Sequence, residues 1–396
     1  MSKQVETYLQ HAGLADFDTK GTAPVAMPTT RSSTVRFQSM AHLDQAFNER
    51  GQGQKALVYG RGGMQNHRAL EDIICQLEAG TDCYLASSGM AAITLAILSV
   101  VNHGDHIIVT DGAYAPVRTL DQQFLQRMGI SVSYCEPTVE SCQAALQDNT
   151  KVLYMESPSS LLMQMIDVPA LASFAASKQL VSIADNTWGS GLIYQPLALG
   201  VDISVIAATK YIGGHSDLLM GAVVCKETAL AQKINHCQYA LGYSVSADDV
   251  WLALRGVRTM PIRMRACAEN ALAISERLAT WEQVKQVYHP AWPGDATHEL
   301  WRRDATGSNG MLAFSLKATE AQCRRFVDAL QLFGIGFSWG GFESLVQLVP
   351  AAAIAPHSYW QEDTVATVLR LHAGLEAIED LLADLEQARQ QALLSA

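Results

Sequence analysis

No stretch of this 396-residue chain is apolar for long enough to span a bilayer. The longest such run, Met90 to Val101, is too short and carries Thr94 and Ser99. Met1 to Thr22 is polar, without an apolar signal core, so a soluble cytoplasmic protein with no membrane partner is expected. Basic residues are also scarce: 28 Lys and Arg stand against 39 Asp and Glu, a net charge of -11. With no dense basic run, that balance argues against a nucleic-acid partner. No C-x-x-C pair occurs among the eight cysteines, and most of them lie in apolar patterns, which reads as reduced core thiols rather than disulfides or a metal site. His103 and His106 flank Gly104-Asp105, a turn signal, and are assigned to a turn before a strand rather than to a metal. Internal repeats and low-complexity tracts are absent as well.

What is present is enough apolar material, 49%, to bury a sizeable core, and a length that suggests two or three domains, one of them large. Residues 1–58 show little periodicity and read as an extended arm that packs on something else, such as a second subunit. Residues 59–255 follow as a large α/β domain. Six or so strands alternate there with helical patterns, the candidate segments being 83–86, 106–110, 131–135, 151–155, 180–184, 201–208 and the apolar run 220–225. That alternation predicts a parallel or mostly parallel sheet covered by helices on both faces. Residues 256–396 begin in a linking helical segment, 247–280, where Pro261 marks a kink or break, and continue as a smaller α+β domain. Its expected strands are 284–287, 310–316, 345–349 and 368–372, with helices at 320–330 and 378–393 and a loop at 290–304.

The chemistry gathers at strand ends. Gly89, Tyr114, Glu156, Asp185 and Lys210 each lie just past a strand C-terminus, the edge at which open α/β sheets bind ligands. A lysine there, desolvated, has a free lone pair for a Schiff base. An aspartate beside it keeps a pyridinium nitrogen protonated, and together they suit pyridoxal phosphate. Either residue alone reads equally as a solvated strand-end lysine or a turn aspartate. Ser87-Ser88-Gly89-Met90 joins a strand to a helix, where unpaired N–H groups and the helix dipole favour a phosphate, although Ser-Gly also serves as an ordinary cap. Tyr59-Gly60-Arg61-Gly62-Gly63 suits close approach to an anion or is a flexible surface loop. Tyr114 either stacks on a flat cofactor or packs on its neighbours. Arg370, inside an alternating strand, needs an anion: a substrate carboxylate or a structural one. Arg255, Arg258, Arg263 and Arg265 read mostly as a solvated or inter-subunit face.

Six segments then make a set: Tyr59-Gly60-Arg61, Ser88-Gly89-Met90, Glu156-Ser157-Pro158, Asp185-Asn186-Thr187, Ala207-Ala208-Thr209-Lys210-Tyr211, and Leu369-Arg370-Leu371-His372-Ala373-Gly374-Leu375-Glu376. In this order, over nearly the whole chain, they resemble the pyridoxal-phosphate-dependent enzymes of cysteine and methionine metabolism. Ser338-Trp339-Gly340-Gly341-Phe342-Glu343-Ser344 is most similar to the bacterial cystathionine β-lyase branch, since γ-acting members commonly carry leucine at the position of Trp339. The resemblance implies the aspartate-aminotransferase-like fold type I. It also implies a homotetramer, a dimer of dimers with sites shared between subunits. Lys210, Tyr114 and Tyr59 would be catalytic. Lys210 would bind the cofactor aldehyde, Asp185 would pair with the ring nitrogen, and Tyr114 would stack on the ring. Gly89, Met90 and Thr209 would hold the phosphate, joined by Tyr59 and Arg61 of a neighbouring subunit. Arg370, Ser338 and Trp339 would bind the substrate. The implied reaction is α,β-elimination of L-cystathionine to homocysteine, pyruvate and ammonia. The alternatives are a cystine or cysteine-S-conjugate lyase, a γ-lyase, and a cofactor-binding regulatory module. Gly62, where a second arginine is expected, and Ala115 to Thr119, which lack acidic residues, depart from the branch near the mouth of the site.

Overall fold

The computed structural model describes residues 4–360 and 366–394. Two sheets organise them. The first contains β1 (Asp82–Ala86), β2 (His106–Thr110), β3 (Ser131–Cys135), β4 (Thr150–Glu156), β5 (Val181–Asp185), β6 (Ile203–Ile206) and β7 (Gly221–Cys225). Their order is β1-β7-β6-β5-β4-β2-β3, with β2 to β6 parallel to one another and β7 antiparallel to both β1 and β6. β2, β6 and β7 are buried along their whole length because both faces are covered, whereas the edge strand β3 is partly exposed. Alternate residues feed two cores. Ile108, Leu153, Ala184, Ile206 and Val224 face one, and Ile107, Val152, Ile183, Val205 and Val223 face the other. The helix Gln65–Leu77 closes the first core with Leu70, Ile73, Ile74 and Leu77, the helical spacing seen in the sequence. The helix Gly89–Leu98 closes the second with Ile93, Leu95 and Ile97.

The second sheet holds β8 (Val284–Tyr288), β9 (Met311–Lys317), β10 (Gly334–Ile335), β11 (Leu345–Val349) and β12 (Ala366–His372), in the order β10-β11-β12-β9-β8. The helices Glu320–Ala329 and Ile378–Arg389 cover it through Phe326, Leu381 and Leu385. The helix Met260–Ala279 ties the sheets together: Met260 and Met264 enter the first core, and Ile274 and Leu278 enter the core of the second sheet.

Several expectations change. The N-terminal segment is not wholly extended: helices form at Val5–His11, which buries Leu9, and at Met40–Gly51, capped by Ser39. Its first three residues lie outside the described ones. The expected break at Pro261 is present: helices Ala247–Val257 and Met260–Ala279 part just before it, and the proline sits in the first turn of the second, where it has no intrahelical acceptor to lose. The expected loop 290–304 ends in a helix, His298–Asp304. Arg263 is buried rather than solvated, and its Nη2 donates to the Tyr211 and Gly256 carbonyls at 2.8 Å each. The helix Thr228–Leu241, with only Leu230, Ala231 and Ile234 buried, has no counterpart in the sequence reading. No helix among the described residues is long and apolar enough to cross a membrane.

Candidate active site

A cavity of about 460 Å³ opens at the C-terminal edge of the first sheet and is roofed by residues of the second. Residues singled out in the sequence line it, among them Gly89, Met90, Tyr114, Glu156, Asp185, Thr209, Lys210, Ser338, Trp339 and Arg370.

Lys210 sits in the loop between β6 and β7. That connection carries no helix, and β7 returns antiparallel to β6. The Lys210 N–H donates to the Ala207 carbonyl at 3.0 Å, and Gly214 returns a bond to the Lys210 carbonyl at 2.7 Å. Nζ donates to Ser338 Oγ at 2.6 Å and lies 5.3 Å from the centre of the Trp339 ring. Burial, helped by the Arg370 guanidinium and opposed by Asp185, lowers the amine to about 8. A substantial neutral fraction is therefore present near physiological pH.

The roof loop is held tightly. Ser338 has φ 99, a conformation that costs a non-glycine residue energy, and Gly340 has φ 85. A Cβ on Gly340 would stand 3.0 Å from the Tyr211 nitrogen. His372 Nε2 accepts from Gly340 N–H at 3.1 Å while Nδ1 donates to the Glu343 carbonyl at 3.0 Å, so the ring is neutral with the proton on Nδ1. Burial lowers His372 to about 4, consistent with that state.

Asp185 is buried. Its Oδ1 accepts from Thr187 N–H at 2.9 Å and from Thr187 Oγ1 at 2.6 Å, while Oδ2 has the Tyr154 hydroxyl at 3.5 Å. Burial raises its pKa; the Thr187 bonds, the Tyr154 hydroxyl and Lys210 oppose that rise. Thr187 is itself pinned, since its Oγ1 accepts from Ala207 N–H at 2.8 Å.

Glu156 completes the sheet edge and was given no role in the sequence reading. Its Oε2 accepts from Tyr114 N–H at 2.6 Å, which fixes the loop that presents the Tyr114 ring. Burial and neighbouring Asp185 push its pKa well above the ordinary carboxylate range. Arg370 is buried on β12, opposite Gln347 on β11. Among the described residues no carboxylate stands within ion-pair distance of it, although Glu156 is near enough to act on it electrostatically.

The helix Gly89–Leu98 starts at the cavity wall. Ser88 caps it, its Oγ accepting from Ala91 N–H at 3.1 Å, and the N–H groups of Gly89 and Met90 have no acceptor within the helix. A Cβ on Gly89 would lie 2.7 Å from that of Ala207, so only glycine lets the helix start approach the Lys210 loop this closely. The Thr209 hydroxyl lies beside it, donating to the Met220 carbonyl at 3.1 Å.

Tyr59 and Arg61 do not join this set within one chain. Tyr59 is 46% exposed and bridges to Thr34, and the Arg61 guanidinium stands 4.1 Å over the Tyr239 ring.

The donor set fits pyridoxal phosphate: an amine with a lowered pKa for the aldehyde, a buried carboxylate for the ring nitrogen, and a glycine-started helix for the phosphate. The fold and this set define a pyridoxal-phosphate enzyme of fold type I. The chain belongs to the Cys/Met metabolism PLP-dependent enzyme family, whose sequence model matches residues 6–390. It is 53% identical over 392 residues to a cystathionine beta-lyase of Bordetella avium, covering 99% of this chain and 98% of that one. It is 37% identical over 392 residues to a cystathionine beta-lyase of Escherichia coli, covering 97% and 98%. Among solved structures it is similar to a cystathionine gamma synthase of Xanthomonas oryzae pv. oryzae, with TM-score 0.90, 30% identity and 100% of each chain covered.

Proposed function

We propose that this enzyme is a carbon–sulfur β-lyase that cleaves L-cystathionine to homocysteine, pyruvate and ammonia. The observation that carries the reading is the meeting of Lys210 Nζ, Ser338 and Trp339 in one cavity with an Arg370 that has no ion-pair partner among the described residues. The names of the relatives at 53% and 37% identity support the choice of substrate.

Pyridoxal phosphate, when bound, takes up the substrate amino group and withdraws electrons from Cα. The protein's own residues do the rest. Arg370 holds the α-carboxylate bidentately, which orients Cα. The Lys210 amine, neutral in part near its pKa of about 8, takes the proton from Cα, and Ser338 Oγ holds Nζ in place. The Cβ–S bond breaks, homocysteine departs, and the remaining three-carbon fragment hydrolyses to pyruvate and ammonia. With the cofactor bound, Asp185 would pair with the ring nitrogen and keep it protonated, Tyr114 would stack on the ring, and Gly89, Met90 and Thr209 would hold the phosphate. Tyr59 and Arg61 serve the site of a neighbouring subunit in a homotetramer built from two dimers, in the cytoplasm. Residues 1–58 act as the arm, 59–255 as the cofactor domain, and 256–396 as the linking helix and C-terminal domain. The division at 255 is supported by the two sheets lying on either side of it.

A second reading, elimination from cystine or from cysteine S-conjugates, is favoured by the exposed apolar Leu219 and Phe337 in the cavity wall and by Gly62. The test is the keto acid and the thiol formed from L-cystathionine by the cofactor-loaded protein.

A further inference from the structure

Behind Asp185 lies a second carboxyl that the reaction above leaves unused. Glu78 ends the helix Gln65–Leu77 and is fully buried, as are Asn186 and Ser204. Glu78 Oε1 accepts from Asn186 Nδ2 at 2.6 Å, and the same nitrogen donates to the Tyr194 carbonyl at 2.8 Å. Two oxygen acceptors leave the Asn186 amide one orientation. The Asn186 backbone is held too: its N–H donates to the Val205 carbonyl at 2.8 Å, and its carbonyl accepts from Ser190 N–H at 2.7 Å. On one side of Asn186 is Asp185. On the other is Thr187, which grips both Asp185 Oδ1 and the Ala207 N–H of the Lys210 loop. Glu78 thus anchors the middle of the turn that aims Asp185 into the cavity.

The donors around the two carboxyls are divided unequally. Asp185 receives the Thr187 N–H and hydroxyl and faces the Tyr154 hydroxyl. Glu78 receives the Asn186 amide and faces the Ser204 hydroxyl on β6. Of the groups facing Glu78, from β5, β6 and the segment between them, Asp185 is the charged one; Asn186, Tyr194 and Ser204 are neutral. Two neighbouring buried carboxyls do not both ionise readily. Burial, with Asp185 adding to it against Ser204 and Asn186, pushes Glu78 up to about 8.

We propose that Glu78 is a positioning residue for the reaction: through Asn186 it fixes the Asp185–Thr187 turn, and as an uncharged acid it leaves Asp185 to carry the negative charge. The proposal rests on the reading in which Asp185 faces the ring nitrogen.

The experiment compares the wild-type holoenzyme with Glu78→Gln and Asp185→Asn, without substrate, by infrared and visible spectroscopy across pH. Wild type minus Glu78→Gln isolates a protonated-carboxyl band that fades with a midpoint near 8. The visible titration of the bound cofactor shifts by about half a unit or more in Glu78→Gln above pH 8, where wild-type Glu78 gains a charge that the amide cannot. Its visible circular dichroism, which reports ring orientation, changes, and kcat falls more than KM rises. An absent band, or cofactor spectra identical to wild type in Glu78→Gln while Asp185→Asn alters them, overturns the role of Glu78 alone. Unaltered spectra in Asp185→Asn overturn the ring-nitrogen reading and the proposal with it. If Glu78→Gln does not fold, Ser204→Ala replaces it: loss of that hydroxyl raises the midpoint of the carboxyl band, and an unmoved midpoint contradicts the proposal.

Discussion

Lys210 Nζ and Ser338 Oγ stand 2.6 Å apart, although one follows β6 of the first sheet and the other precedes β11 of the second. The bond joins the amine to a loop held in a strained conformation at Ser338 and clamped by His372. The reacting nitrogen is therefore positioned from both sheets.

Lys210→Ala removes the amine that lines the cavity. Turnover falls by about 10³-fold or more, as expected for loss of a group that both forms the Schiff base and moves the proton. Circular dichroism and thermal unfolding stay close to wild type. Unchanged turnover contradicts the assignment.

The amine's low pKa gives a pH dependence with a definite sign. Only the neutral form attacks an aldehyde, so cofactor uptake by the cofactor-free protein speeds up as pH rises through about 8 and levels off above it. Ser338→Ala removes an acceptor that favours the charged amine, so the midpoint moves down by about half to one unit. Stopped-flow absorbance of cofactor binding measures both. An upward shift contradicts the proposed role of the Ser338 bond.

Arg370→Leu leaves the substrate carboxylate without its partner. Loss of a buried, charge-assisted contact of this kind costs about 2–5 kcal/mol, or roughly 30- to 5,000-fold in kcat/KM. Most of that loss falls on KM, while the visible spectrum of the bound cofactor stays as in wild type. Arg370→Lys recovers part of it, since the charge returns without the fork.

Thr187→Val keeps the backbone donor to Asp185 but removes the 2.6 Å hydroxyl bond. Asp185 then protonates more readily. The acid limb of the kcat profile moves to higher pH, and kcat at neutral pH falls by roughly tenfold, the equivalent of one hydrogen bond to a charged group. An acid limb that stays in place contradicts this.

The strand-end residues were legible because apolar runs of strand length stop at polar residues, so the sequence places Asp185, Lys210 and Gly89 on one edge without any contact information. Glu156 was legible at that edge but its role was not, and Glu78 and His372 were not legible as parts of the site. Their roles depend on which N–H groups tertiary packing brings to them, from Tyr114, Asn186 and Gly340. The antiparallel direction of β7 escaped for a similar reason: nothing in an apolar run records its direction. The helix Thr228–Leu241 escaped because it buries only a narrow stripe. Arg263 was misplaced because its partners are carbonyls, which leave no charge pattern. Arg370 is the counter-case: an arginine in an apolar strand announced the need for an anion, and the structure offers no ion-pair partner among the described residues.

The central claim is tested most directly by incubating the cofactor-loaded protein with L-cystathionine and identifying the keto acid and the thiol. The account predicts pyruvate with homocysteine, and a shift toward 2-oxobutyrate in Trp339→Leu. Predominant 2-oxobutyrate with cysteine from the wild-type protein would contradict it.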